Sequence, residues 1–129
     1  MAQIKIYALR SSYEGHQKSL SDIVHGCVVD AFALPKDKRF HRFVLLEKTD
    51  FFFPEDRSDQ YIIIEISCFE GRSVQTKKKL LRLLFERLDK EMDIAVQDIE
   101  ITISETPKEN WGIRGLPADE LQLNYKVEK

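Results

Sequence analysis

The segment that decides the fold runs Tyr61-Ile62-Ile63-Ile64-Glu65-Ile66-Ser67-Cys68-Phe69. It is almost continuously apolar and β-branched, which is typical of a central strand covered on both faces. Ser73 then provides a helix N-cap. An apolar helical pattern follows at Val74, Leu80, Leu81, Leu84, Phe85 and Leu88. Isoleucines at 99, 101 and 103 alternate with polar residues, so residues 60–104 predict a β-α-β unit.

The first part of the chain repeats this order of elements. Ile4, Ile6 and Ala8 alternate with other residues and predict a strand that begins almost at the first residue. Ser11-Ser12 is the expected N-cap of a helix that ends before Pro35. The apolar stripe of this helix comprises Leu20, Ile23, Val24, Cys27, Val28, Ala31 and Phe32. A second strand over 40–46 completes a first β-α-β unit within residues 1–46.

The duplication predicts the architecture. One helix on two strands buries too little apolar surface to be stable, so the two units are expected to share a sheet. We therefore predict an α+β fold, in which two tandem β-α-β units form a four-stranded mixed sheet with two helices on one face. A single domain would span 1–129, with a linker loop over 47–59. The tail, 105–129, would add a short strand at Leu121, Leu123, Tyr125 and Val127.

The uncovered face of this sheet is expected to pack against another subunit. The three adjacent phenylalanines, Phe51-Phe52-Phe53, lie in the linker loop and cannot all point one way. At least one is therefore expected to be exposed unless a neighbouring subunit covers it.

Composition narrows the class of protein. With 43% hydrophobic and 33% charged residues and a net charge of −2, the chain is typical of soluble globular proteins and lacks the basic surface of nucleic-acid binders. Lys77-Lys78-Lys79 is the one basic run, and we expect it on a solvated helix face. No signal peptide or stretch of about 18 apolar residues is present, so we expect no membrane contact and a cytoplasmic location.

The cysteines and histidines of the chain are expected to have structural roles. Cys27 and Cys68 are spaced for neither zinc nor a redox motif, and both are expected to be buried. His16, His25 and His41 are scattered without a second ligand or nucleophile nearby in sequence. The sequence therefore predicts no metal and no cofactor.

Several short motifs resemble the tautomerase superfamily. They are Gly71-Arg72-Ser73 with Lys77 and Leu80, Ile101-Thr102-Ile103-Ser104-Glu105, and Glu109-Asn110-Trp111-Gly112 with Gly115. The length and order of elements most resemble the malonate semialdehyde decarboxylase-like branch. The resemblance implies a homotrimer whose base is an N-terminal proline exposed by removal of the initiator methionine. Arginines would hold the carboxylate of a small oxo or enol acid, and in this branch an aspartate would assist.

The chain keeps only part of the set that the resemblance implies. Ala2 stands where the proline is expected, and Arg72 matches one arginine. Glu70 takes the place of the other arginine. Lys38 aligns with the aspartate, although a one-residue shift would put Asp37 there. The segment that closes the site in relatives here contains Trp111 and Arg114, which we assign to substrate binding.

The residues themselves allow this chemistry. An α-amino group titrates near about 7.7–8.0, and a free Ala2 amine could act as base, although without the ring that aims a proline nitrogen. If Met1 stays on the chain, the amine moves outward by about 3.3–3.6 Å, and residues 1–3 are only a strand start. Arg72 suits a carboxylate clamp, or is a surface arginine at a helix start. Asp37 is a general acid or base, or part of a solvated turn.

The sequence thus supports three hypotheses. The first is a tautomerase- or decarboxylase-like enzyme for a small oxo or enol carboxylic acid, with Ala2 and Asp37 as catalytic residues. The second is a catalytically inactive trimer of the same fold that serves as a binding or scaffold protein. The third is a ferredoxin-like interaction domain unrelated to the superfamily.

Overall fold

The structure, a computed structural model, describes residues 2–121. Its main sheet has four strands in the order β2-β1-β3-β4. The strands are β1 (Ala2–Leu9), β2 (His41–Leu46), β3 (Ile62–Phe69) and β4 (Ile99–Thr106). β1 and β2 are parallel, as are β3 and β4, whereas β1 and β3 pair antiparallel at the centre. The predicted mixed sheet of two β-α-β units is confirmed.

Two long helices cover one face of this sheet. They are α2 (Gln17–Phe32) and α3 (Val74–Met92), and they pack against each other. Alternate residues of the central strands point towards them, so Ile4, Ile6, Ile64 and Ile66 are almost fully buried. Ser73 caps α3 as predicted, because its hydroxyl accepts a hydrogen bond of 3.1 Å from the Thr76 amide.

The first helix begins later than the sequence predicted. Residues Arg10–Tyr13 form a separate turn, α1, and Gly15, at φ 91°, interrupts the chain before α2. His16 is the N-cap residue of α2 and makes no side-chain capping bond. The expected cap at Ser11-Ser12 is therefore wrong. Ser12 instead donates its hydroxyl hydrogen to the carbonyl of Asp59 at 2.7 Å, which ties α1 to the linker loop.

The other face of the sheet carries polar and apolar side chains. Lys5 lies 4.0 Å from Glu65 and 5.8 Å from the centre of the Tyr7 ring. Along β3, the residues that face away from the helices, Ile63 among them, remain partly exposed. This face of β3 is therefore partly exposed in the single chain, and its expected packing against another subunit stays a prediction.

The linker loop exposes one phenylalanine, as predicted. Phe52 is 87% exposed, whereas Phe51 and Phe53 pack on the ring of Tyr61, with centroid distances of 5.7 and 5.2 Å. Asp98 is buried at the start of β4 and accepts hydrogen bonds from the amide and the hydroxyl of Ser58. The loop is thus anchored to the sheet while it presents an apolar side chain to the surface.

The tail folds back after β4. A 3-10 turn at Lys108–Asn110 leads to a hairpin of two short strands, β5 (Gly112–Ile113) and β6 (Leu116–Pro117). The predicted tail strand lies outside the described residues beyond Leu121. Within residues 2–121, no helix is long and apolar enough to cross a membrane.

A polar cluster containing a histidine lies between α2 and β2. The Ser21 hydroxyl oxygen is 2.7 Å from His41 Nδ1, and the rings of His25 and His41 meet edge-on at 5.8 Å. Burial, aided by the nearby His25 and Arg39, lowers the pKa of His41 to about 4. His41 is therefore neutral in the folded protein near pH 7.

We predict that His41 makes the protein less stable in mild acid. An unfolded histidine titrates near 6.5, so the unfolded state binds more protons than the folded state between about pH 6.5 and 4. The free energy of unfolding should fall by up to about 3 kcal/mol over this interval. Urea unfolding at several pH values measures the fall. His41→Gln should flatten it, whereas the exposed His16→Gln should leave it unchanged, and equal slopes in both variants would contradict the assignment.

Candidate active site

Four chain segments meet at one end of the main sheet, which we call the site end. Ala2 begins β1 there and lies opposite Cys68, near the end of β3. Thr106 ends β4 beside Phe69. The turn before β2 reaches the same end, because the Ile4 amide donates to the carbonyl of Phe40 at 2.9 Å. Parallel and antiparallel pairing together therefore place the predicted site segments side by side.

Ala2 is held in the sheet and not on a frayed end. Its side chain is 5% exposed and joins the main core. Its pairing partner Cys68 is fully buried. Chain termini are usually poorly ordered, so a second residue fixed in a strand is a candidate for a positioned group.

Arg72 is buried, with 5% of its surface exposed. Its guanidinium carbon lies 4.1 Å from the centre of the Phe32 ring, and Nη1 donates to the Phe69 carbonyl at 3.2 Å. Gly71, at φ 127°, allows the sharp turn that carries the chain from β3 to this position. The reading of Arg72 as a surface arginine is therefore wrong, and its charge is fixed at the edge of the core.

Lys77 and Glu105 form an ion pair that the sequence analysis missed. Lys77 Nζ lies 2.7 Å from Glu105 Oε1, and the two side chains are only 26% and 25% exposed. The expectation of a solvated basic run holds for Lys78 and Lys79 but is wrong for Lys77. Helical spacing was the available signal, because Lys77 lies three residues before the buried Leu80 and so shares its face.

The two cysteines are free and buried, as predicted. Burial raises the pKa of Cys27 to about 11. Burial also raises the pKa of Cys68, while the nearby cations of Arg72 and Lys77 oppose this effect and Glu105 adds to it. Both thiols are thus protonated near pH 7, which makes them inert as nucleophiles.

Trp111 holds the tail against the site end. Its ring packs edge-on against Phe69 at 4.8 Å, and its carbonyl accepts a hydrogen bond of 2.7 Å from the Ala118 amide. Phe69 and Ala118 are buried in this small second core. The hairpin encloses an open cavity of about 530 Å³, which Trp111 and Arg114 help to line. Arg114 is exposed, and its backbone has φ 54°.

Asp37 and Glu70 are both exposed at the site end. The turn that carries Asp37 is held by two bonds, from the Lys38 amide to the Pro35 carbonyl at 3.1 Å and from His25 Nε2 to the Lys36 carbonyl at 2.8 Å. Glu70 lines a cavity of about 430 Å³ with Gly71, Lys108, Glu109 and Asp119. With three carboxylates, this second cavity disfavours an anion, so an acidic ligand would favour the Trp111 side.

Residues 38–114 match the family model described as tautomerase enzyme. The probable tautomerase YrdN of Bacillus subtilis (strain 168) is 30% identical over 101 residues, which cover 73% of this chain and 76% of the relative. The chain belongs to the tautomerase family.

Other tautomerase relatives match the chain over different lengths. The 2-hydroxymuconate tautomerase of Pseudomonas putida is 34% identical over 59 residues, which are 46% of this chain but 94% of that protein. The crystal structures of malonate semialdehyde decarboxylase share the fold with a TM-score of 0.80 at 22% identity, covering 89% of this chain and 93% of theirs. A fused 4-OT described as an asymmetric trimer gives 0.78 at 19% identity, over 91% and 96%.

Within residues 2–121, no group of three or more His, Cys, Asp and Glu side chains is arranged to hold a metal ion. Besides the exposed Asp37 and Glu70, the site end carries the charged groups of Arg72, Lys77 and Glu105. Their proximity to Ala2 makes acid–base chemistry the reaction type that this arrangement fits.

We predict that Trp111→Ala loosens the tail without unfolding the sheet. An aromatic pair such as Phe69–Trp111 contributes about 0.5–1.5 kcal/mol beyond its buried area, so the open form of the tail should become at least about twofold more populated. Limited proteolysis followed by mass spectrometry should show faster cleavage within residues 107–121. Val96→Ala, at an exposed site elsewhere, is the control. Equal cleavage rates in both variants would contradict the anchoring role.

Proposed function

We propose that this tautomerase-family protein is an isomerase that moves a proton within a small oxo or enol carboxylic acid. The observation that carries the proposal is that Ala2 pairs with Cys68, four residues before the buried Arg72, so that the start of β1 and this cation lie at the same end of the sheet. A catalytic base and an anion-attracting charge are the two groups that such a reaction needs.

The base would be the amino group of Ala2 after removal of Met1. Burial and a nearby positive charge would both favour the neutral amine. A neutral amine near pH 7 can act as a base. The neutral amine would take a proton from the carbon next to the carbonyl, or from the enol oxygen, and return it at the other end of the conjugated system. The proton is conserved, so no cofactor is needed.

The carboxylate of the substrate would be held by positive charge. Arg72 offers a buried guanidinium just after β3, and Arg114 offers an exposed one in the cavity of the tail hairpin. Trp111 would supply an apolar wall, because it already packs on Phe69 beside them. Asp37, in the anchored turn, would serve as a second acid or base.

Tautomerisation is proposed ahead of decarboxylation. Lys38 occupies the position at which the resemblance to the decarboxylase branch implies an assisting aspartate, and Asp37 is exposed beside it. Isomerisation requires only one base that removes a proton and returns it to another atom of the substrate, so the amine suffices. Malonate semialdehyde is therefore the second substrate to test.

A binding or scaffold role is the alternative. The carboxylates of Glu70, Glu109 and Asp119 around one cavity favour it, because they would repel an acidic substrate approaching from that side. The exposed and partly exposed apolar groups Phe52 and Ile63 suit the assembly that such a protein would need.

We also propose that the protein is a homotrimer. A structural neighbour with a TM-score of 0.78 is described as a trimer. The face of the sheet opposite the helices is partly exposed and carries Tyr7, Val44 and Ile63 in one row across β2, β1 and β3. Burial of this row between subunits would remove the apolar surface from water.

We predict that activity depends on the Ala2 amine and on Arg72. With mass spectrometry confirming removal of Met1, the enol of phenylpyruvate should be converted to its keto form, followed by absorbance. Ala2→Pro should raise kcat/KM because the ring aims the nitrogen. Arg72→Met should lower it by about 100-fold, as expected for loss of a preorganised charge.

The control for Arg72→Met is Arg82→Met, an exposed arginine on α3. Thermal unfolding of each variant separates loss of the fold from loss of chemistry. Retention of Met1, or turnover that Arg72→Met leaves unchanged, would contradict the proposal. Absence of turnover in a protein that has lost Met1 would favour the scaffold alternative.

We predict that sedimentation equilibrium will give about three times the chain mass of 15.1 kDa. Ile63→Glu should shift the protein towards monomers, because it places a charge in the apolar row. Val96→Glu, at an exposed position in a 3-10 turn, should leave the mass unchanged. A wild-type monomer would contradict the trimer.

A further inference from the structure

The ion pair of Lys77 and Glu105 has no role in the mechanism above. It spans 2.7 Å between Nζ and Oε1, and about three quarters of each side chain is buried. Lys77 lies in the first turn of α3, where its amide donates to the Ser73 carbonyl at 3.1 Å. Taking two charges out of water costs free energy that their attraction only partly offsets, so stability alone explains such a pair poorly.

The pair lies beside the start of β1. Cys68 is the pairing partner of Ala2 on one side and of Glu105 on the other. Adjacent strands are about 4.8 Å apart, so the backbones of Ala2 and Glu105 are separated by about 10 Å. Residues paired across strands share a face of the sheet, which puts Glu105 and Ala2 on the face that α3 covers.

The charges of Lys77 and Glu105 act on Cys68, which lies between Ala2 and Glu105 in the sheet. Burial raises the pKa of Cys68, the cation of Arg72 opposes this effect most, Glu105 raises the pKa further, and Lys77 lowers it. A group at Ala2, the next position across the sheet, experiences the same two charges. The other charged groups at the site end include Arg72 and Glu70, after β3, and Asp37 and Lys38, in the turn before β2. Lys108, Glu109 and Asp119 line a cavity with Glu70 at the same end.

We propose that Lys77 and Glu105 are positioning residues that set the protonation of the Ala2 amino group. The inference rests on the proposed function, since it requires that Met1 is removed and the amine is free. While both charges are present, their opposite fields partly offset each other at Ala2, and the cation of Arg72 adds to that of Lys77 in favouring the neutral amine. When one charge is removed, the other acts alone on the amine through the half-buried end of the sheet.

The two charges must therefore act in opposite directions. Glu105→Gln leaves the cation of Lys77 unbalanced, which disfavours the protonated amine and lowers its pKa. Lys77→Met leaves the carboxylate unbalanced, which raises the pKa of the amine. For a charge about 10 Å away, each shift should be about half to one pH unit.

The experiment titrates the amine without a substrate. Folded full-length protein that has lost Met1 is treated with limiting acetic anhydride between pH 5 and 9, and acetylation of Ala2 is quantified by peptide mass spectrometry. The variants are Glu105→Gln, Lys77→Met, the double variant and the conservative Lys77→Arg. Lys78→Met, an exposed lysine on the same helix, is the matched control. The acid limb of kcat/KM is measured in parallel where turnover is found.

The expected result is a pair of opposite shifts, with the double variant, Lys77→Arg and Lys78→Met close to the wild type. Shifts of equal sign, or no shift beside a lowered unfolding temperature, would show that the pair is only structural and would overturn the proposal. Retention of Met1 would also overturn it. Opposite shifts without any turnover would leave the electrostatic role standing and remove the proposed isomerase activity, so the two failures are distinguishable.

Discussion

The antiparallel pairing of β1 with β3 is the constraint on which the rest of the structure depends. It runs from Ala2 opposite Cys68 to Ala8 opposite Ile62 and joins two units that each have one long helix and two parallel strands. Two strands with one helix would leave much of their apolar surface in water, so neither unit is stable without this ladder. The same ladder fixes Ala2 beside the end of β3. The site end is therefore a direct consequence of how the two halves are fused.

The sequence predicted the strands and α3 because their patterns are local. Alternation at Ile99, Ile101 and Ile103 or a cap at Ser73 depends only on neighbours within a few residues. The predicted start of α2 was wrong because it depends on a contact with a residue far away in the sequence. The Ser12 hydroxyl donates to the carbonyl of Asp59, 47 residues away, and does not cap the helix. A local sequence pattern does not show such a distant partner.

The sequence predicted the candidate site residues but not the surroundings of their side chains. The resemblance to the tautomerase superfamily pointed to Ala2, Asp37, Arg72, Trp111 and Arg114, and the topology brings their segments to one end of the sheet. The burial of Arg72 depends on Phe32, a residue of the other half of the chain. Likewise, the helical spacing of Lys77 to Leu80 indicates that it faces inward, but its ion partner Glu105 lies 28 residues further on, near the end of β4. The burial and the partners of Arg72 and Lys77 thus depend on contacts between residues far apart in the sequence, which a single sequence does not show.

The replacement of proline by alanine at position 2 is less damaging in this fold than it would be on a free chain end. A proline ring fixes φ and so aims its nitrogen. In this chain the backbone of Ala2 is already paired with Cys68, and its side chain is enclosed by the core, so the strand itself restricts where the amine can point. A proline ring would still restrict rotation about the N–Cα bond, which the pairing of β1 with β3 does not fix. The proposed chemistry therefore relies on charge around the amine more than on its covalent geometry, which is why Arg72, Lys77 and Glu105 matter.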